Sequence, residues 1–465
     1  MSNSKPEGGE NILIKEVSAD TIILTVSGVE HKINYQLPEL KELMKNQNVT
    51  NITYENKVYN IEHINEANFG VVISNKVFNS VLTRELILLL KDNKRPGSFL
   101  NSLPAGDKGD WESKRQPLKE AQGILEDSFV WVIGWQLRRL FSIGNDRQKK
   151  METKIDEYIN HCFSTYRVSL QLINYLFISQ LWDEKIKNKN IDTDKVEIRN
   201  FFCSNRPPKL TELRSLLQTL LEIFRNNQLS YPINENDLGD INEFIQSESK
   251  FNSACAELER LEALGSGNEM YGLGHCHTAE ISLTAILAGF KFFTIYQLVT
   301  LKKIEYEEAR HHAARYIKDL SILETKKVKN LLRYLKYDNT PAETYSVFFR
   351  NKNKSVNLFP FVLDYNALMN ELDFQIFFYE CSESESGLRY FSIQSENEEI
   401  ISYTATPPTE SMEVTSEEQK NEVQRNIRLD LVIRQFEDAM NTLLGTTFCF
   451  KPKANELYAD NLSNL

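Results

Sequence analysis

"LKEAQGILEDSFVWVIGWQLRRLF", residues 118–141, decides the class of fold. Its apolar residues return every three or four positions across a broad face, the period of a helix packed on a core. Trp131 and Trp135 stand four apart on one helix face and read as core side chains. The same period runs through "VFNSVLTRELILLL" (77–90), "YINHCFSTYRVSLQLINYLFISQLW" (158–182), "LTELRSLLQTLLEIF" (210–224) and "TAEISLTAILAGFKFF" (278–293). Breakers punctuate the chain around these runs: Pro96, Pro104, Gly109, Pro117, Gly144 with Asn145, Pro207 with Pro208, and Pro232. Residues 76–292 are therefore expected to form an α-helical bundle. No internal repeat suggests a solenoid.

Both flanks have a different pattern. Residues 1–70 hold two β-rich runs, 12–17 and 21–26, then "LPELKELMKNQ" (37–47) at helical spacing. A second hairpin follows, with "NITY" and "KVYNIEHI" joined by a turn at residues 55 and 56. That order, ββαββ, describes a small α+β interaction module. After residue 293 come "TIYQLVTL", "TYSVFFR", "VNLFPFVLDY", "FQIFFYEC", "LRYFSIQ" and "EIISYTA", rich in aromatic and β-branched residues. A helical stretch is expected to interrupt them near 319–336. The segment 293–406 is read as a β-rich α+β region, 407–425 as an acidic linker or loop, and 426–448 as a last helix packing on the body. The fold class is α+β.

Composition limits the function. In 465 residues, 41% hydrophobic and 26% charged is ordinary for a globular chain, and the net charge of −11 opposes general coating of nucleic acid. No run of eighteen apolar residues is present, so no membrane partner is expected. The start "MSNSKPEGGENILIKE" lacks the apolar core of a signal peptide. Six cysteines, at 162, 203, 255, 276, 381 and 449, form no CxxC pair and suit reduced thiols. A cytoplasmic location is the expectation.

The chain has no GxxxxGK[ST] loop, no GxSxG elbow, no HExxH and no kinase signature. No catalytic residue is assigned and no cofactor is expected. The strongest chemical candidate is "YGLGHCHTAE" (271–280). In an extended segment His275 and His277 point to one side, as two ligands of one ion would. A helix over 279–291 and a strand over 294–302 would return the chain so that His311 or His312 joins them, with Glu280 or Glu308 as an oxygen ligand. The competing reading makes Gly272 and Gly274 a loop, Thr278 an N-cap and Glu280 a partner of the helix dipole. The sequence favours this second reading. Separately, residues 291–336 carry eleven Lys or Arg against five Asp or Glu. Within them Lys326, Lys327, Lys329, Arg333 and Lys336 form a candidate face for an anion or an acidic partner.

"KVYNIEHINEANFG" (57–70), "FFTIYQLVTLKKIEYEEAR" (292–310) and "VNLFPFVLDYNAL" (356–368) resemble poorly characterised bacterial proteins of conflict (antiphage) systems. In those, a small N-terminal module similar to an effector-associated domain precedes a larger body. The resemblance implies an adaptor, sensor or regulated partner working with a protease, nuclease or NTPase of the same system. It transfers no active-site residue. The leading expectation is a non-enzymatic intracellular adaptor acting through protein–protein interaction. The alternatives are a metal-dependent hydrolase or nuclease using the 275–312 histidines, and a nucleic-acid or nucleotide sensor using the basic 291–336 face.

Overall fold

The computed structural model describes residues 10–17, 21–26, 29–34, 49–54, 57–60, 78–104, 111–146, 148–239, 242–266, 271–307, 310–311, 315–323, 333–337, 345–369, 373–383, 387–395, 397–402 and 417–450. Helices and sheets are both present, and the class is α+β. Two compact units divide the chain, each assembled from separated stretches. One takes 1–129, 133–166 and 246–291, and the other 130–132, 167–245 and 292–465. Among the described residues no helix is long and apolar enough to cross a membrane.

The first unit begins with strands β1 (Glu10–Val17), β2 (Thr21–Val26), β3 (Val29–Asn34), β4 (Val49–Tyr54) and β5 (Lys57–Asn60). They form one sheet in the order β3-β2-β1-β4-β5, antiparallel except for the parallel β1–β4 pair. The sheet holds a third strand before β4, where the ββαββ reading has two. "VEHKIN" escapes a pattern search because polar residues fill an outer strand, as edge strands favour. The helix expected over 37–47 lies outside the described residues.

Helices α1 (Ser80–Leu89), α2 (Lys94–Ser102), α3 (Arg115–Ser128) and α4 (Trp131–Asn145) follow. The 118–141 run is thus two helices and not one. Val130 donates its N–H to the carbonyl of Phe293 at 2.9 Å, in place of an intrahelical acceptor. Gly134 completes the bend, because a Cβ there would stand 2.2 Å from the Glu126 carbonyl oxygen. Helix α5 (Met151–Lys187) contributes its first turns to this unit and its later turns to the second. Its buried residues recur on nearly every side, the mark of a helix enclosed by core.

In the second unit come α6 (Val196–Cys203), α7 (Leu210–Asn226) and the single turns α8 (Glu235–Leu238) and α9 (Asn242–Ile245). The chain then returns to the first unit for α10 (Lys250–Ser266) and α11 (Leu273–Gly289). After that it stays in the second. Strands β6 (Gln297–Glu307), β7 (Arg315–Ile322), β8 (Arg333–Tyr337), β9 (Val347–Arg350) and β10 (Ser355–Asn357) make an antiparallel sheet in the order β10-β9-β6-β7-β8. The helix expected near 319–336 is therefore replaced by the end of β7 and by β8, with 324–332 outside the described residues. A segment as short as "RYLKY" satisfies either period, and pairing with β7 selects the strand.

Strands β11 (Val362–Asp364), β12 (Ile376–Glu383), β13 (Gly387–Ser392) and β14 (Glu398–Ser402) form a four-stranded antiparallel sheet, with the short helix α12 (Tyr365–Leu368) after β11. The final helix is α13 (Glu417–Leu444), which begins nine residues before the span read from sequence. Aromatic rings fill the core here. Tyr175 stacks on Phe361 at 6.1 Å, and Phe436 of α13 meets Tyr379 at 4.6 Å and Phe202 at 5.3 Å.

Candidate functional site

The histidine segment folds as helix from its first residues. Helix α11 starts at Leu273, with Gly272 as N-cap, so Thr278 lies inside the helix and caps nothing. Positions 275 and 277 are then about 200° apart around the axis and face opposite ways. His275 Nδ1 accepts the Gly272 N–H at 3.1 Å, which closes the first turn. His277 is buried. His311 sits in a turn with φ at 69°, and His312 lies outside the described residues. Among the described residues no group of three or more His, Cys, Asp or Glu side chains is placed to hold a metal ion. The helix removes the same-side geometry on which the metal reading depended.

Glu280 has a different task. It is fully buried on α11 and reaches the start of α1, whose N-cap Asn79 makes no side-chain cap hydrogen bond. Glu280 Oε2 accepts the Asn79 N–H at 3.0 Å, and Oε1 accepts the Leu82 N–H at 2.9 Å. The Tyr158 hydroxyl lies 3.2 Å from Oε2 and 3.1 Å from Asn79 Oδ1. This carboxylate thus does for α1 what a local Ser or Asp usually does, satisfying N–H groups left open by the helix start. Burial pushes its pKa from 4.5 up to about 7, against the pull of those donors. Burial also raises Tyr158, Cys162 and Cys276 around it, with the negative charge of Glu280 adding to each. A carboxyl poised near neutrality has the proton affinity of a general acid–base. Its oxygens are turned to backbone donors, so the arrangement performs capping.

The basic candidates separate. Lys326, Lys327 and Lys329 lie outside the described residues, and Arg333 and Lys336 sit in β8, paired in register with Ser321 and Lys318. Other cations of the same stretch are interior. Lys318 is buried with Nζ 5.8 Å from the centre of the Phe348 ring. Lys302 Nζ binds Asp364 Oδ2 at 2.6 Å, and both side chains are nearly inaccessible. Thr300 donates to the same oxygen at 2.6 Å, while the N–H groups of Ala367 and Gln375 reach Oδ1. Asp364 thereby joins β6, α12 and the start of β12. A count of charges along the chain cannot distinguish such buried cations from a surface face.

One cleft in the second unit combines apolar walls with charged groups. It measures about 500 Å³ and is lined by α6, the loop after it, α7 and Glu380 of β12. Its frame is held by backbone groups. Ser382 donates its N–H to Ser204 O at 2.9 Å, and its hydroxyl to Phe202 O at 2.6 Å. Tyr379 adds its hydroxyl to Phe201 O at 3.2 Å. These bonds satisfy carbonyls at the end of α6, which would otherwise lack partners. Arg206, on the rim, is clamped to Glu212 by both terminal guanidinium nitrogens. Burial, opposed by Arg389 and Arg167, raises the Glu380 carboxyl above the ordinary carboxylate range. Sequence reading passed over Glu380, since a single acid in a β-rich run carries no spacing signal.

Compared with known protein families, curated proteins and solved structures, the chain matches none.

Proposed function

We propose that this chain is a non-enzymatic interaction protein, an adaptor or sensor of a bacterial conflict system, acting in the cytoplasm on a protease, nuclease or NTPase partner. The observation that carries this reading is the N-terminal sheet. Among the described residues its five strands pair only with one another, and β3 and β5 are its outer strands. An outer strand offers a row of N–H and C=O groups to a partner strand, a common route for recruiting a second chain. β5 opens the 57–70 stretch whose likeness to effector-associated modules suggested an adaptor. The side chains best suited to chemistry in the helical stretch support the same view, because His275 and Glu280 are occupied in closing helix starts.

Capture from the native host tests the proposal. The full chain should recover a protease, nuclease or NTPase with an N-terminal module of its own, and a chain lacking residues 1–76 should lose that partner while its body still melts cooperatively. Undiminished recovery without residues 1–76 would refute the role given to the sheet.

A further inference from the structure

The cleft beside β12 contains a local irregularity with a chemical consequence. In the β12–β13 ladder Tyr379 pairs with Tyr390 and Cys381 with Arg389, so Glu380 is the extra residue of a β-bulge. A bulge leaves one residue unpaired and re-aims its side chain, and bulges gather beside functional sites. Glu380 lines the cleft, and its Oε2 is buried without a hydrogen-bond partner. Buried carboxylate oxygens are normally bonded, so an exception asks for an explanation.

The neighbouring charges are engaged elsewhere. Arg199 pairs with Asp194 at 2.6 Å, and Arg206 with Glu212. Arg389 of β13 binds Glu383 at 2.6 Å and Glu398 at 3.4 Å, and Arg167 of α5 donates to the Pro208 carbonyl. The lining arginines Arg199 and Arg206 are paired, so Glu380 Oε2 remains as the acceptor that the cleft offers to a cationic donor. Phe201, Pro208, Leu213 and Leu216 supply apolar wall beside it. A volume of about 500 Å³ falls within the range of sites for small molecules.

We propose that the cleft between α6, α7 and β12 binds a guanidinium or alkylammonium group on an apolar stem, with Glu380 as its counter-ion. The group belongs either to a free small cation or to an Arg or Lys side chain of a peptide. This site does not depend on the N-terminal sheet, and either proposal can fail alone.

The test is titration of the full chain with agmatine and with blocked Arg- and Lys-containing peptides, followed by calorimetry and by the melting temperature. Citrulline and glutamate peptides serve as neutral and anionic controls. Saturable binding of the cationic probes alone is expected, weakened about 10- to 100-fold by Glu380→Gln, the worth of one charge-assisted hydrogen bond. Ser215→Trp, which fills the cleft from α7 and leaves the carboxylate in place, should abolish it too. A peptide bound about tenfold more tightly than agmatine identifies a partner's side chain as the source, and the reverse identifies a free cation. Failure of every cationic probe to bind at millimolar concentration, or equal binding to Glu380→Gln, overturns the proposal.

Discussion

Replacing Glu280 by Gln should flatten the pH dependence of stability in the first unit. The carboxyl titrates at about 7 in the folded chain against an ordinary 4.5. The folded state therefore holds this proton more tightly than the unfolded state does. The stabilisation from that extra affinity is complete below pH 4.5 and is lost as pH rises through 7. Each pKa unit corresponds to about 1.4 kcal/mol, so the interval from pH 5 to pH 8 removes about 2–3 kcal/mol. Tyr158, Cys162 and Cys276, the titratable neighbours, are all raised by burial and stay protonated across this window. The substituted amide cannot titrate, and it presents donors where Asn79 and Leu82 already donate, so the variant should be weaker at pH 5 and recover relative to wild type by pH 8. Hydrogen exchange of the α1 amides, corrected for intrinsic rate, reports this local stability directly. Parallel pH curves for the two proteins would refute the raised pKa, and equal α1 protection at every pH would refute the capping role.

Asp364→Ala should destabilise the second unit by about 3–5 kcal/mol in urea unfolding, because it strands the buried Lys302 ammonium. Gly144→Ala should lower stability despite alanine's better helix propensity. Its Cβ would lie 1.9 Å from Asn79 Nδ2 and 3.1 Å from Phe78 Cβ, and forced overpacking of this kind costs about 1–3 kcal/mol. His275→Ala should cost about 0.5–1.5 kcal/mol, one neutral hydrogen bond at the start of α11. Zinc or manganese should leave the melting temperature of wild type and of this variant unchanged; a rise seen only in wild type would restore the metal reading.

The long helices were legible because their signal is local. The apolar period over 158–182 and 210–224 survives in α5 and α7. What sequence missed depends on partners far along the chain. The break at Val130 is set by the Phe293 carbonyl, and the cap of α1 comes from a residue 201 positions away. "LLRYLKY" fits both the helix and the strand period, and only β7 beside Arg333–Tyr337 selects the strand. Of the proposed metal set, Glu280 proved structurally important, though as a helix cap, and the two described histidines were parted by the helix that an N-cap at Thr278 had wrongly postponed. The basic stretch misled for a related reason. Lys302 and Lys318 count as charges in a sequence but are core residues in the fold, and only the tertiary position of Asp364 and Phe348 reveals it.

The central claim, that the N-terminal sheet recruits a partner chain, is tested most directly by hydrogen exchange on the full chain, free and in complex with its captured partner. The proposal predicts new protection within residues 10–60, strongest at the outer strands 29–34 or 57–60, where a partner strand would add its hydrogen bonds. Protection confined to residues beyond 76, with 10–60 exchanging as in the free chain, would contradict it.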